Sequence, residues 1–532
     1  PAVRTVTRMR VSYSHKDEQF LYVQSLDAPQ EALLRVRYGI DDVNAEFEET
    51  VPLLWPLAIL NLLDVRIDAD GVLTPGVIVL EPDYLLDISA LAECFKEYGH
   101  HPANYLLSRL SLREKTSSML LGDIANLFLD EWIYAKEAPD FQTCMRKAFR
   151  KYPLELVTCE ELNDAAKEKD FFTQCKLQFL NIQQIVEHTF LAEGYQLQKA
   201  DAVLEPSFIC EALGLQGRLD YMQRDMNAFI EMKSGKAEEY KVRGKILLKE
   251  NHQVQMQLYQ AVLEYSMGKS HYQTRAYLLY SRYPYLYPAR PSWALLRRVI
   301  NLRNQIVATE YTIQQKHDVA YTAQCLAKVN PEELRQNEVG ENFWKQYLLP
   351  QTSWLQERLT ALSDLERSYF YTLYLFITKE LYTSKAGGSL YDMQRGAASL
   401  WLSTLEEKEE AGEIVCDLEL IENQSASEQK PFVRLRKKQA AGTDALPNFR
   451  QGDSVVLYQR NVPTDNVTCQ QVFKGNLEDF SDDLLTIRLR MPQRNPKVLP
   501  ASSLYAIERD YMDTSFTMMF RGLATFLSAS KE

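Results

Sequence analysis

The sequence has little cysteine, and none of it falls in a paired motif. Eight cysteines stand alone at positions 94, 144, 159, 175, 210, 325, 416 and 469, with no C-x-x-C among them. Such spacing encodes neither a zinc site nor a disulfide framework. Long apolar runs are missing as well: nothing approaches the roughly 20 residues that cross a bilayer as a helix. No basic start leads into an apolar signal segment, so the expected location is cytoplasmic. A nucleotide-binding loop is also absent. "SMGKS" at 266–270 ends like one, but the position five residues before Gly268 is Leu263, where the loop needs glycine. ATP hydrolysis is therefore not expected of this chain. Positive charge is short too, since 72 Asp and Glu against 60 Lys and Arg leave −12 at pH 7. That balance argues against a surface coated in basic charge for non-specific nucleic-acid binding. A local basic channel stays open. Lys233, Lys236, Lys241, Arg243, Lys245 and Lys249 form one run that is either such a channel or a solvated face.

What is present is globular. The chain has 532 residues, 46% hydrophobic and 25% charged, enough for about three or four domains with buried cores. Residues 1–95 read as β-rich, with "RMRVSYSH", "FLYVQSLD" and "EALLRVRYG" as strands and a hairpin-like pair around Asp70-Gly71. From about Ala90 the pattern turns helical, and "SSMLLGDIANLFLDEWIYA" is an amphipathic helix. Strands are expected over Cys210 to Leu213, Gly217 to Met222 and Ala228 to Met232, with "QRDMN" as the turn between the last two. A helix, "ENHQVQMQLYQAVLEYSMG", a strand, "TRAYLLYSRY", and a long helix, "SWALLRRVINLRNQIVATEY", follow. The order β-β-α-β with helices outside predicts a mixed α/β core over 96–311. Residues 312–412 read as helical, and five short strands over 413–508 predict a small β-barrel. Residues 509–532 begin an apolar helix.

The chemistry concentrates in "GLQGRLDYMQRDMNAFIEMKSGK", Gly214 to Lys236. In a hairpin, Asp220 and Glu231 lie on neighbouring strands. Lys233 is two residues beyond Glu231 and shares its face. Two carboxylates and a lysine that converge are hard oxygen ligands suited to Mg²⁺ or Mn²⁺, with the Met232 carbonyl as a further oxygen. Such a metal activates water and neutralises charge on a phosphate. The other reading of the same residues is an exposed salt-bridge ladder. Gln255 and Tyr259, four apart, share a face of the next helix.

In order, Gly217-Arg218-Leu219-Asp220, Glu231-Met232-Lys233 and Gln255-x-x-x-Tyr259 resemble the G-x-x-D, E-x-K and Q-x-x-x-Y motifs of the RecB-type nuclease family, a branch of the PD-(D/E)XK fold. "IEMKSGK", "HQVQMQLYQAVL", "LLYSRY" and "LLRRVINLRN" look similar to the nuclease domain of the nuclease–helicase family that trims Okazaki-fragment flaps and resects DNA ends. "VIVLEPDYLLDISALAEC", "LERSYFYTLYLFITKEL" and "FRQGDSVVLYQRN" resemble flanking parts of that family, the last its barrel. The resemblance implies a restriction-endonuclease-like core and a Mg²⁺- or Mn²⁺-dependent deoxyribonuclease acting on single-stranded or flap DNA. A helicase motor would follow in the chain, as a partner for this portion. Asp220, Glu231, Lys233, Gln255 and Tyr259 would be the catalytic set, and Arg297, Arg298 and Arg303 would contact phosphates or form an ion-paired helix face.

Two positions depart from the family pattern. The family places a metal-binding histidine in G-x-I-x-H, and here Gly122-Asp123-Ile124-Ala125-Asn126 puts Asn126 at that place, with His188 as an alternative ligand. The isolated cysteines argue against the iron–sulfur cluster of many relatives, and the aromatic run "YSRYPYLYP" would supply packing in its stead. A catalytically silent DNA-binding scaffold for a helicase and a defence nuclease against invading DNA are the rival functional readings.

Overall fold

The computed structural model describes residues 4–28, 32–112, 116–235, 238–239, 246–388, 395–438, 447–481, 483–511 and 514–529. Lys236, Lys241, Arg243 and Lys245 of the basic run lie outside them. The protein is a mixed α/β chain with two small barrels. In the first, the strand Arg4–Lys16 pairs with both Phe20–Ser25 and Ile59–Ile67. Leu34–Arg37 and Leu73–Thr74 complete the ring, and Val77–Leu80 lies alongside Ile59–Ile67. Its strands bury one face by alternation, with Val11, Leu21, Val23, Leu60 and Leu62 fully inside.

The middle of the chain is a five-stranded sheet in the order Ala202–Leu204, Tyr221–Gln223, Ala228–Lys233, Arg275–Tyr280, Leu286–Ala289. All neighbours are antiparallel except Ala228–Lys233 with Arg275–Tyr280. A parallel pair needs a crossover, and the helix Glu250–Met267 supplies it. Alternate residues of the two central strands feed opposite layers. Phe229, Leu278 and Tyr280 pack with Val254, Leu258, Leu296 and Val299 on one side. Ile230, Met232, Tyr277 and Leu279 pack with Ile124, Phe128, Phe179 and Ile182 on the other. The layers are thus helix, sheet, helix, with Glu250–Met267 and Trp293–Lys316 on one face and Ser117–Tyr134 and Ala165–Glu187 on the other.

Three details differ from the sequence expectation. The strand expected over Gly217 to Met222 is split. Leu215–Arg218 belongs to a separate small sheet with Ser207–Cys210 and Leu86–Asp87, and the chain bends at Leu219 and Asp220 before Tyr221–Gln223. The bend is held by the Leu219 N–H on the Pro206 carbonyl (3.0 Å) and the Glu205 N–H on the Asp220 carbonyl (3.0 Å). The strand expected over Cys210 to Leu213 ends at Cys210, because Glu211 to Gly214 turn, with Gly214 at φ +63°. The C-terminal barrel has six strands instead of five. Leu504–Arg509 pairs with both Ile414–Gln424 and Ser454–Gln459 and so closes it.

Helices of the 312–412 region and the terminal helix share an apolar cluster. Asp364–Ala386 starts from a capping box formed by Ser363 and Glu366. The terminal helix Thr514–Ser528 lays Phe520, Leu523 and Leu527 into the same apolar cluster as Phe370 and Tyr374. Among the described residues no helix is long and apolar enough to cross a membrane. Gly268, in the loop-like "SMGKS", is a left-handed residue (φ +68°) capping the crossover helix.

Candidate active site

Asp220, Glu231, Lys233, Gln255 and Tyr259 come together at the open end of the sheet. The split strand is what delivers Asp220: the bend after Arg218 turns its carboxylate onto the neighbouring strand, where Oδ2 accepts the Met232 N–H (2.7 Å). Glu231 and Lys233 follow by alternation on the face toward the crossover helix. Glu231 Oε1 accepts from Lys233 Nζ (2.9 Å) and from Gln255 Nε2 (2.7 Å). Tyr259, one turn beyond Gln255, donates its hydroxyl to the Arg218 carbonyl (2.6 Å). Gly217 is bare for the same reason. A Cβ there would stand 2.9 Å from Ile88 Cδ1 and 3.0 Å from the Tyr259 ring, closer than side chains tolerate. Gly217 and Tyr259 are therefore one fit, which fixes the bend that carries Asp220.

The electrostatics are those of charges held against cost. Glu231 is 4% exposed, and its Oε2 is buried with no hydrogen-bond partner. Burial raises the Glu231 carboxyl above its ordinary range, and the Asp220 charge adds to the rise. Burial raises Asp220 too, against the pull of Lys233 and the Met232 N–H. Burial works to lower the Lys233 ammonium, but Glu231 and Asp220 outweigh it and hold its pKa up. A buried acceptor left without a donor beside a second carboxylate is costly, and either a proton on the raised Glu231 carboxyl or a hard divalent cation would relieve it. Two carboxylates, with the Met232 carbonyl as a neutral oxygen beside them, are donors of the kind such an ion takes. Among the described residues no group of three or more His, Cys, Asp or Glu has metal-holding geometry.

Asn126 lies half-buried on Ser117–Tyr134, a helix that packs against the sheet face opposite the one carrying Glu231 and Lys233. Gly122, Asn126 and Asp130 recur every four residues on one face of Ser117–Tyr134. At one end of that face a Cβ on Gly122 would meet Ser234 Oγ at 3.2 Å, just past Lys233. At the other, Asp130 is raised to about 8 by burial and then by Glu205, and Glu205 in turn senses Asp220. Half-buried Asn126 sits between the two. His188 is exposed at the C-cap of Ala165–Glu187 and, among the described residues, joins no acidic group of metal-holding geometry.

The three arginines are placed differently from the expectation. Arg303 is fully buried and donates to the carbonyls of Leu80, Glu81, Tyr84 and Gly214, so it ties the first barrel to the core and does not reach a phosphate. Its place was set by the neighbouring turn, which its helix face does not reveal. Arg297 pairs with Glu46 (2.8 Å). Arg298, half-exposed, lies 3.5 Å from Glu250. Of the eight cysteines, six are buried.

Sequence reasoning missed His252 and Tyr280. His252 Nδ1 shares a hydrogen bond with the Tyr280 hydroxyl (2.8 Å). Burial, then Lys233 and Lys249, push the imidazole down to about 3 and keep it neutral. The available signal was spacing, because His252 is three residues before Gln255 and shares its helix face. No protein-family model matches this chain, and none of the curated proteins matches it either.

Proposed function

We propose that this chain is a divalent-metal-dependent nuclease of restriction-endonuclease-like build, cleaving phosphodiester bonds in single-stranded or flap DNA. The observation that carries the reading is the orphaned Glu231 Oε2, buried beside Asp220 and within a set that also holds a lysine. An ordinary salt-bridge ladder exposes its charges and pairs each of them. Here a carboxylate oxygen is buried with no donor beside a second carboxylate, an arrangement that a bound cation would satisfy.

Asp220, Glu231, the Met232 carbonyl and Asn126 would hold Mg²⁺ or Mn²⁺. When bound, the ion supplies charge neutralisation at the phosphate and a lowered pKa for water. Lys233 keeps its proton, so its ammonium orients the attacking oxygen or neutralises charge that develops on the phosphate oxygens. Gln255 fixes the Glu231 carboxylate in one rotamer through Oε1. Tyr259 holds the bend behind Asp220. A helicase motor is the partner this reading proposes for the chain, with DNA as substrate.

A labelled flap oligonucleotide incubated with the protein and Mg²⁺ or Mn²⁺ tests the reading. Wild type should release short products, and Asp220→Ala and Glu231→Ala should release none while remaining folded. Wild-type cleavage rates in both variants would remove the proposal. The silent-scaffold reading draws on Asn126, since an amide is a weaker ligand than the imidazole expected at that place. DNA binding without cleavage in either metal would favour it.

A further inference from the structure

Beside the catalytic strand lies a short loop of unusual make-up. Arg275–Tyr280 runs parallel to Ala228–Lys233 with Tyr280 opposite Lys233, so the residues after Tyr280 emerge next to the lysine. The Ser281 N–H bonds the Lys233 carbonyl (2.9 Å), and Arg282 Nε bonds the Ser234 carbonyl (3.2 Å). The loop is thus fastened to the end of the catalytic strand at two successive residues. Arg282 is half-buried, and its guanidinium forms no ion pair among the described side chains. In a chain of net charge −12, a guanidinium beside the site with no ion pair among the described residues is notable.

The loop is also aromatic. The ring of Tyr280 contacts those of Tyr283 (6.4 Å) and Tyr287 (5.8 Å) edge-on, and Tyr287 contacts Tyr285 (6.5 Å) in the same way. The buried members brace the outermost one: Tyr285 is 60% exposed, while Tyr280 is fully inside and tied to His252. A tyrosine ring kept in water on a braced backbone, next to an arginine with no ion pair among the described residues, matches what unpaired nucleotides bind. The base stacks on the ring and the phosphate meets the guanidinium. A base still paired in a duplex has its faces occupied by its neighbours and cannot use such a ring.

We propose that the 281–285 loop is a binding subsite for single-stranded nucleic acid, in which Tyr285 stacks one unpaired base and Arg282 holds the adjoining phosphate, leading the strand to Lys233. This rests on the nuclease reading for its functional sense but not for its test. The test uses the full chain carrying Glu231→Gln, so that bound strand is not cut, and a fluorescently labelled oligothymidine titrated without metal. Tyr285→Ala in that background should weaken binding about 5- to 100-fold, the loss of one base–aromatic stack. Tyr285→Phe should bind as the parent does, because the ring and not the hydroxyl makes the stack. Arg282→Ala should weaken binding and flatten its salt dependence by about one charge. A blunt duplex of the same length should bind more weakly than the single strand, and Tyr285→Ala should leave its affinity alone.

In the cleaving parent, Tyr285→Ala should raise KM with kcat nearly unchanged. Equal affinity of Tyr285→Ala and parent for the oligothymidine overturns the proposal, as does an equal loss on the duplex. Absence of cleavage by wild type would count against the nuclease reading alone, since the binding titration stands by itself.

Discussion

Neutralising Glu231 should abolish cleavage and at the same time stabilise the fold. In Glu231→Gln the amide carbonyl takes the place of Oε1 and keeps both of its donors, Lys233 Nζ at 2.9 Å and Gln255 Nε2 at 2.7 Å. The new NH₂ takes the place of Oε2, which is buried without a donor next to Asp220. There it donates to the Asp220 carboxylate at every pH, as the raised Glu231 carboxyl does only while it holds its proton, so the gain grows as pH rises. Lys233 retains Asp220 as its counter-charge. Relief of an unsatisfied buried acceptor amounts to about 1–2 kcal/mol. For a domain of this size that raises the unfolding midpoint by about 2–8 °C. Activity should fall at least about a thousandfold, because the metal-binding charge is gone. Glu231→Ala serves as the control. It orphans Gln255 and opens a cavity, and should cost about 2–4 kcal/mol. Thermal unfolding followed by circular dichroism, run beside the flap assay, reads both quantities. If Glu231→Gln instead loses more than about 3 kcal/mol and the protein still cleaves DNA, Glu231 is one half of a structural ion pair and the reasoning fails.

Four further outcomes are expected. Tyr259→Phe leaves the Arg218 carbonyl without its donor; stability should drop by about 1 kcal/mol and kcat should fall more than KM changes, as measured in steady-state cleavage. Arg303→Met removes a donor from each of four carbonyls, of which those of Glu81 and Gly214 keep a backbone N–H, and should lower stability by about 2–4 kcal/mol in urea unfolding, with unchanged DNA affinity in whatever protein folds. Asp130 is raised to about 8 in the folded chain by burial and then by Glu205. Its unfolded value is about 4, so the stability it contributes is full below pH about 4 and is lost as pH rises through about 8. Asp130→Asn should remove that slope and be the more stable protein at pH 9. Asn126→His, with a better ligand for Mn²⁺, should keep or raise Mn²⁺-supported cleavage. A loss there, with His188→Ala also impaired, would place the wrong helix at the site.

Much of the site was legible because it is local. Alternation alone puts Glu231 and Lys233 on one strand face, and four-residue spacing puts Gln255 and Tyr259 on one helix face. The crossover also follows from the chain, since a strand, a helix and a strand in succession favour a parallel pair. "QRDMN" reads as a turn from composition, and the structure places Met226 there at φ +61°.

Only the tertiary structure decided what lies across from each face. Periodicity says that Arg303 is on a helix face, but not that the face meets the turn at Gly214 and the end of the first barrel. The guanidinium therefore became an internal post instead of a phosphate contact. The motif names Gly217 and Tyr259 separately, while packing makes them one fit. Leu504–Arg509 has the residues of a strand, yet it closes a barrel because two partners from distant parts of the chain leave matching edges on either side. His252 needed Tyr280, and Tyr285 needed the strand Ala228–Lys233 nearby, before either had a meaning. Sequence sets each residue's local direction through backbone geometry. The partner it meets depends on long-range packing, which a single sequence does not encode position by position.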